Sequence, residues 1–180
     1  MKGILGSIDG QIEAISVDQQ SRRRYFQASD FFNTLHGDLL KKVEKIVDEI
    51  SLVRRSIGKS VERFDAGRIC ADCGGKCCDK IAEGNFTAFG YFLMIATASE
   101  KLREEVEKVM NEAKIEDDCR FKMWNGCMLP VDVRFDVCSH YYCQNNFPDA
   151  ARTAVELREA FLEEPFWQLQ ELLKENGFGI

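Results

Sequence analysis

The chain lacks a long hydrophobic run, and it has little proline and almost no histidine. No stretch reaches the about 18 consecutive apolar residues of a membrane-spanning helix. The most apolar one, Phe86 to Ala98, is too short and carries Thr87, Gly90 and Thr97. The first residues show no basic-then-apolar leader pattern. These absences set the expectation of a cytoplasmic protein that does not engage membranes. The three prolines, Pro130, Pro148 and Pro165, leave the N-terminal two thirds free to form uninterrupted helices. With only two histidines, His36 and His140, there is no H-E-x-x-H pair, and no Gly-rich phosphate cradle accompanies them. No carboxylate–histidine set stands out, so the sequence assigns no catalytic residue and leaves enzymatic activity open. Positive charge is also in the minority, with 24 Lys and Arg against 30 Asp and Glu and a formal net charge of −6. That balance argues against general nucleic-acid binding, which depends on neutralising phosphates. The one basic run, Arg22 to Arg24 before Tyr25 and Phe26, reads as a solvated helix face.

Cysteine is missing from both ends of the chain and concentrated in its middle. All eight lie between residues 70 and 143. Four of them, Cys70, Cys73, Cys77 and Cys78, fall within nine residues; Cys119, Cys127, Cys138 and Cys143 follow at wider spacings. A thiolate is a soft ligand, and zinc or iron–sulfur iron accepts four in a tetrahedron. Two residues between Cys70 and Cys73 let the chain curl so that both sulfurs face one point. Gly74 and Gly75 permit a tight turn with amides free to point at sulfur. Cys77 and Cys78 are neighbours whose side chains diverge if the backbone is extended, so one of them can serve a second metal or another side of a cluster. Two four-thiolate zinc sites, a binuclear zinc site, and one cubane with spare cysteines all remain open. An even number of cysteines also permits disulfides, but such frameworks belong mostly to short secreted chains. Buried thiols acting as small apolar residues are the third reading, and the nine-residue clustering argues against it.

The C-x2-C-x3-C-C start, the later Gly126-Cys127-Met-Leu-Pro130 and the Arg134-Phe-Asp-Val-Cys138-x4-Cys143 ending resemble the YkgJ-like zinc- or iron-chelating cysteine-cluster family. The resemblance covers about residues 66 to 147. It implies a metal site built from Cys70, Cys73, Cys77, Cys78, Cys119, Cys127, Cys138 and Cys143, and it names a metal property rather than a reaction. Two features depart from the usual pattern: Arg134 is followed by Phe135 rather than proline, and three residues rather than two precede the Cys77–Cys78 pair.

Charge does not choose between the metals, because a four-thiolate zinc site and an oxidised four-thiolate cubane are both dianionic. Arg68, Lys76, Lys80, Arg120, Lys122 and Arg134 lie near the cysteines in sequence and are expected to offset thiolate charge. His140, two residues after Cys138, can replace a cysteine as ligand or donate a hydrogen bond to sulfur. Glu116, Asp117 and Asp118 form an acidic trio whose ordinary reading is a solvated loop.

The rest of the chain reads as helix, without internal repeats or low-complexity linkers. Gly3, Gly6 and Gly10 make a flexible lead, in which Ile8, Ile12 and Ile15 can pack. From Ser29 to about Ile57, apolar residues recur at Phe32, Leu35, Leu39, Val43, Ile46, Ile50, Val53 and Ile57, which predicts one long amphipathic helix. Its stripe is wide, which favours packing within the chain, while a coiled-coil homodimer is the sharper alternative. Thr87 and Ser99 are expected to cap further helices. Val131, Val133, Phe135 and Val137 alternate with polar residues, which predicts a strand delivering Cys138. Pro148 opens the last helical region, Pro165 interrupts it, and Gly177 stops it.

The expected architecture is mainly α, with helical arms bracketing a small irregular cysteine-rich metal-binding module. It divides into 1–65 (lead and long helix), 66–147 (the eight-cysteine module) and 148–180 (C-terminal helices on the same core). At 180 residues the chain can bury a sizeable core without staples. The functional expectation is a metal-binding protein holding zinc, or alternatively an iron–sulfur cluster. An iron–sulfur redox protein or enzyme accessory subunit is the runner-up, and a metal chaperone or sensor the third reading. A protein partner is expected, of unidentified kind.

Overall fold

Ser16 begins the first helix with a capping box: its hydroxyl accepts from the Gln19 amide, and the Gln19 side chain accepts from the Ser16 amide. The computed structural model describes residues 16–64, 86–112, 119–123, 126–140 and 148–179. Helix α1 runs Val17–Thr34 and buries Ser21, Tyr25 and Ala28 along one face. It stops where Leu35 turns extended, and α2 then runs Gly37–Glu62. The single helix expected from Ser29 to Ile57 is therefore two. The break is local chemistry. Gly37 sits at φ +60°, a left-handed conformation that glycine adopts without a Cβ penalty, and the His36 ring contacts the Thr34 carbonyl through Nδ1 at 2.7 Å. The apolar periodicity ran through this break because Leu35 and Leu39 both face the core on either side of it.

In α2 the buried positions are Val43, Val47, Ile50, Arg54, Ile57 and Val61, with Ser51 and Gly58 beside them. This is the spacing of a helix that buries one face. The stripe is turned slightly from the one the sequence indicated, so that Ile46 and Val53 are only partly buried. The face packs within the chain, against the last two helices and against the apolar helix described next.

Helix α3, Ala88–Thr97, is apolar all round, and Ala88, Phe89 and Tyr91 through Ile95 are buried. A helix with no polar face has to lie in the interior. Thr87 caps it as expected, accepting from the Gly90 amide at 3.0 Å. Helix α1 lies along α3, where Tyr25 meets Tyr91 edge-on and Phe31 and Phe32 meet Phe92. Helix α4, Glu100–Asn111, starts at the expected Ser99 cap and lays Val106 and Met110 on the core.

A two-residue-per-strand hairpin follows: β1, Lys122–Met123, pairs antiparallel with β2, Gly126–Cys127, in the register Lys122 to Cys127 and Met123 to Gly126. Helix α5 is one short element, Asp136–His140. The strand expected over 131–137 does not form. The amides of Val133 and Arg134 both bond back to the Pro130 carbonyl, at 2.9 and 3.1 Å, which curls the chain into a turn. The alternation in the sequence was real as burial, since Val133 and Phe135 face the core. Cys138 thus arrives on a helix rather than a strand.

Helix α6, Pro148–Phe161, and α7, Glu163–Glu175, complete the set, with Pro165 in the first turn of α7, where its missing amide costs little. Gly177 at φ +90° ends α7, and the Phe178 amide returns to the Leu173 carbonyl at 3.0 Å. Phe178 then tucks between Phe31 and Phe92. Tyr25, Ile50, Phe92, Val106, Ala154 and Leu169 all belong to one hydrophobic cluster, so α1, α2, α3, α4, α6 and α7 share a core, which Phe135 and Phe178 join from outside the helices. The structure is mainly α, as the sequence indicated. Among the described residues no helix is long and apolar enough to cross a membrane.

Candidate metal centre

Of the eight cysteines, Cys119, Cys127 and Cys138 fall among the described residues; Cys70, Cys73, Cys77, Cys78 and Cys143 lie outside them, as do Arg68, Lys76, Lys80 and the acidic trio. His140 closes α5, and its side chain is also outside what is described.

The three described cysteines each pack on the hydrophobic core. The Cys119 carbonyl accepts from the Lys122 amide at 2.9 Å, a turn that leads into β1. Cys127 pairs with Lys122 across the hairpin, and the next residue, Met128, bonds to the Phe121 carbonyl at 2.9 Å. Paired strands lie about 5 Å apart, so the Cys119 turn and Cys127 sit side by side. Cys138 is brought in by Phe135, whose carbonyl accepts from the Cys138 amide at 2.9 Å.

Beneath these turns is an aromatic floor. Phe135 stacks on Phe86 with ring centres 3.8 Å apart, meets Tyr91 edge-on at 4.9 Å, and lies 5.9 Å from Phe121. Phe121 is two residues past Cys119, and Phe135 is three before Cys138. All three cysteines are half-buried and pack against this core. Half-buried sulfur donors on an apolar core are of the type a thiophilic metal prefers, in surroundings partly shielded from water. Among the described residues, no three Cys, His, Asp or Glu side chains are close enough to form a metal-holding group. The donor type of the three cysteines suits a thiophilic metal, and the described residues alone do not gather them into a site.

Two glycines let the segment seat this closely. A Cβ on Gly90 in α3 would come within 2.9 Å of Phe135 Cδ1, and one on Gly58 in α2 within 3.0 Å of Val131 Cγ1. Charged ties hold the same segment. Arg55 Nη1 donates to Asp132 at 3.0 Å, and Arg158 Nε donates to Asp136 at 2.8 Å. Arg134 Nε donates to the Leu129 carbonyl at 2.9 Å, closing the turn on itself. Arg120, next to Cys119, is paired with Asp18 of α1 and donates to the Val109 carbonyl of α4. Arg120 and Arg134 therefore serve as anchors of this segment.

The basic run of α1 turns inward in the same way. Arg24 donates to the Phe86 carbonyl at 2.9 Å and Arg22 to the Asn111 carbonyl at 3.3 Å, while Arg23 stays exposed.

Sequence reasoning passed over Arg54. Its side chain is 1 % exposed in the middle of α2, with its guanidinium 5.5 Å over the Phe166 ring and Nη1 donating to the Asp132 carbonyl at 3.3 Å. Burial pulls its pKa down to about 10, and Asp136, Asp132 and Cys138 hold it up against that loss. It is charged at neutral pH. The signal was available: Val43, Val47, Ile50, Ile57 and Val61 mark steps of three and four, and the vacant slot between Ile50 and Ile57 is position 54.

Comparison with protein-family models, with curated proteins and with solved structures found no match.

Proposed function

We propose that the chain is a metal-binding protein that holds zinc, or iron in a sulfur cluster, through its cysteine thiolates. The observation that carries this reading is that Cys119, Cys127 and Cys138 are each half-buried against the one core to which Phe86, Phe121 and Phe135 belong. These residues are far apart in sequence, and nothing in core packing alone asks for sulfur at each of them. Cys70, Cys73, Cys77, Cys78 and Cys143 complete the proposed ligand set on the strength of their spacing. When bound, the metal would supply cross-links between the stretches that carry the cysteines. The chain's residues would orient the sulfurs through the hairpin and α5, and exclude water from beneath them through the aromatic floor.

A structural zinc site of this kind contributes roughly 10–16 kcal/mol of apparent binding free energy coupled to folding. The testing experiment is a visible spectrum of protein purified without oxygen, paired with elemental analysis. Colourless protein with one or two zinc ions per chain is the expected result. A broad band near about 400 nm with iron and sulfide would assign a cluster instead. Protein without metal and without reactive thiols would overturn the reading. For a structural site, complete chelation lowers the near-ultraviolet ellipticity and the melting temperature, and unchanged thermal stability would dismiss that role.

A further inference from the structure

Three of the large apolar side chains exposed among the described residues, Val155, Phe161 and Trp167, lie in α6 and α7. Trp167 is 58 % exposed and Phe161 57 %, so both rings leave most of their apolar surface in water. A single exposed apolar residue is ordinary on a protein surface. These two differ from that ordinary case in the charge that surrounds them.

Phe161 is the last residue of α6, and Trp167 stands in the second turn of α7. Between them come Glu163 and Glu164, both exposed, while Pro165, Phe166 and Leu169 face the core. On a helix the surface neighbours of a residue lie three and four positions away. For Trp167 these are Glu163, Glu164, Gln170 and Glu171, so three carboxylates surround the indole. Between Val155 and Glu171 the sequence holds five glutamates and one basic residue, Arg158, whose Nε is already engaged by Asp136 at 2.8 Å. Glu163 meets Arg158 at 3.9 Å with its own side chain 66 % exposed, and Glu164 accepts from the uncharged Gln168 at 2.7 Å. Glu171 is tied to Lys174 at 2.9 Å. The surface around Trp167 is thus apolar at its centre and negative at its margin.

We propose that this corner of α6 and α7 is a docking surface for a basic polypeptide segment of a partner protein, with Trp167 receiving a lysine or arginine side chain. Charge complementarity selects the occupant. A cation is attracted to the face of an aromatic ring, to tryptophan most strongly, and the carboxylates around the indole add to that attraction. The same carboxylates repel an acidic partner and an anionic lipid surface. A second copy docked by this face about a two-fold axis would set glutamate against glutamate. A basic segment meets neither obstacle, and the hydrocarbon stem of its lysine or arginine can cover apolar surface while its head stays near the carboxylates. The proposal is independent of the metal reading, because none of these residues is a candidate ligand.

The test is fluorescence anisotropy of a fluorescein-labelled amphipathic peptide of leucine and lysine, titrated with the full chain at low salt. The wild type is expected to bind this peptide and not its leucine–glutamate counterpart, with an affinity that falls as salt is raised. Trp167→Ala is expected to weaken binding by about tenfold or more, the usual cost of removing a central tryptophan. The pair Glu163→Gln and Glu164→Gln keeps the shape of the surface, removes two charges, and is expected to weaken binding by about fivefold. It also keeps the proposal open to refutation if Trp167→Ala does not fold. Glu104→Gln with Glu105→Gln makes the same change of charge on the exposed side of α4 and is expected to bind as the wild type does. A wild type that does not bind the lysine peptide overturns the proposal. So does equal binding by the wild type and Trp167→Ala, or equal weakening by the two glutamine pairs, which would make the attraction one of net charge alone. Sedimentation equilibrium and flotation with phosphatidylserine vesicles test the other occupants. A wild-type dimer that Trp167→Ala dissociates would give this surface to a second copy, vesicle binding that Trp167→Ala abolishes would give it to a membrane, and either result overturns the proposal.

Discussion

Helix α1 and the segment from Cys119 to His140 both rest on α3, and they are held there by different means. Along α1 the contact is largely hydrocarbon: Tyr25, Ala28, Phe31 and Phe32 meet Tyr91 and Phe92, and one hydroxyl pair, Ser21 with Tyr91, is buried among them. The cysteine-bearing segment buries Phe121, Leu129, Val133 and Phe135 in the core, and polar ties add to its attachment. Arg54 and Arg55 reach it from α2 and Arg158 from α6, while its own Arg120 reaches out to the Val109 carbonyl of α4 and to Asp18 of α1. Burial of an aromatic residue contributes on the order of 2–3 kcal/mol, while a half-exposed ion pair contributes at most about 1. The helical scaffold therefore has a stable interior of its own. The cysteine segment has a few deep anchors and a margin of directional ties, which fix its position more than they add stability. On the metal-binding reading proposed above, such an attachment would hold thiols in place and leave most of the binding energy to the metal.

The strongest way to break this contrast is to remove the anchor with the most ring contacts in the segment. Phe135→Ala is expected to destabilise the chain by about 3–5 kcal/mol in urea unfolding, the usual range for deleting a buried ring. It should also loosen the approach to Cys138 while leaving the α1–α3 signal in far-ultraviolet circular dichroism intact below the transition. A loss under about 1 kcal/mol would mean that the polar ties hold the segment and the floor is incidental.

The two glycine seats give a finer test, because they differ in what they face. Gly90→Ala puts a methyl 2.9 Å from the stacked Phe135 ring, which is 3 % exposed and has nowhere to move. A cost of about 1–3 kcal/mol is expected. Gly58→Ala meets Val131 at 3.0 and 3.1 Å, but Val131 lies on a half-buried turn. There the helix gains about 1 kcal/mol from replacing glycine, so the net change should be close to zero. Adding Val131→Ala to Gly58→Ala should recover the gain, and a double-mutant cycle reads the coupling. Equal penalties at both glycines would remove the distinction between a deep anchor and a yielding rim.

The same contrast explains what the sequence disclosed. Helix boundaries set by local chemistry were legible: Thr87, Ser99, Pro148 and Gly177 start or stop helices as their residue types imply. The apolar character of α3 was legible as well, because a run without polar residues has few places to go. The break at His36–Gly37 was not, since apolar spacing continues across it, and one glycine in a helical pattern does not announce a positive φ. The turn at 131–134 was missed for a related reason. Period-two burial is shared by a strand and by a curl whose amides bond back to Pro130, and side-chain alternation does not record where amides go. Arg54 was hidden by the habit of reading charge as surface, although it fills the slot that the flanking valines and isoleucines leave open. For the candidate site, sequence supplied residue types and spacing. The core that Cys119, Cys127 and Cys138 each pack against comes from contacts between residues distant in the chain, which spacing does not encode.

The smallest effect expected concerns how dry the α1–α3 contact is, and Tyr25 reports it. Burial raises its phenol to about 12, the Glu107 carboxylate adds to the rise, and Arg103 works against it. In an unfolded chain Tyr25 releases its proton near its ordinary value of 10.0, while in the folded chain it keeps it to about 12. Between those values the native state binds more protons than the unfolded state, so stability falls as pH rises through this window and is intact below it. Absorbance at about 295 nm during an alkaline titration should show a late step that Tyr25→Phe removes, and Tyr25→Phe should unfold less steeply with pH above 10. A titration in which Tyr25→Phe removes an early step instead would mean that water reaches the ring edge. The α1–α3 interface would then be as wet as the cysteine rim, and the difference between the two regions would lie in the number of anchors rather than in their kind.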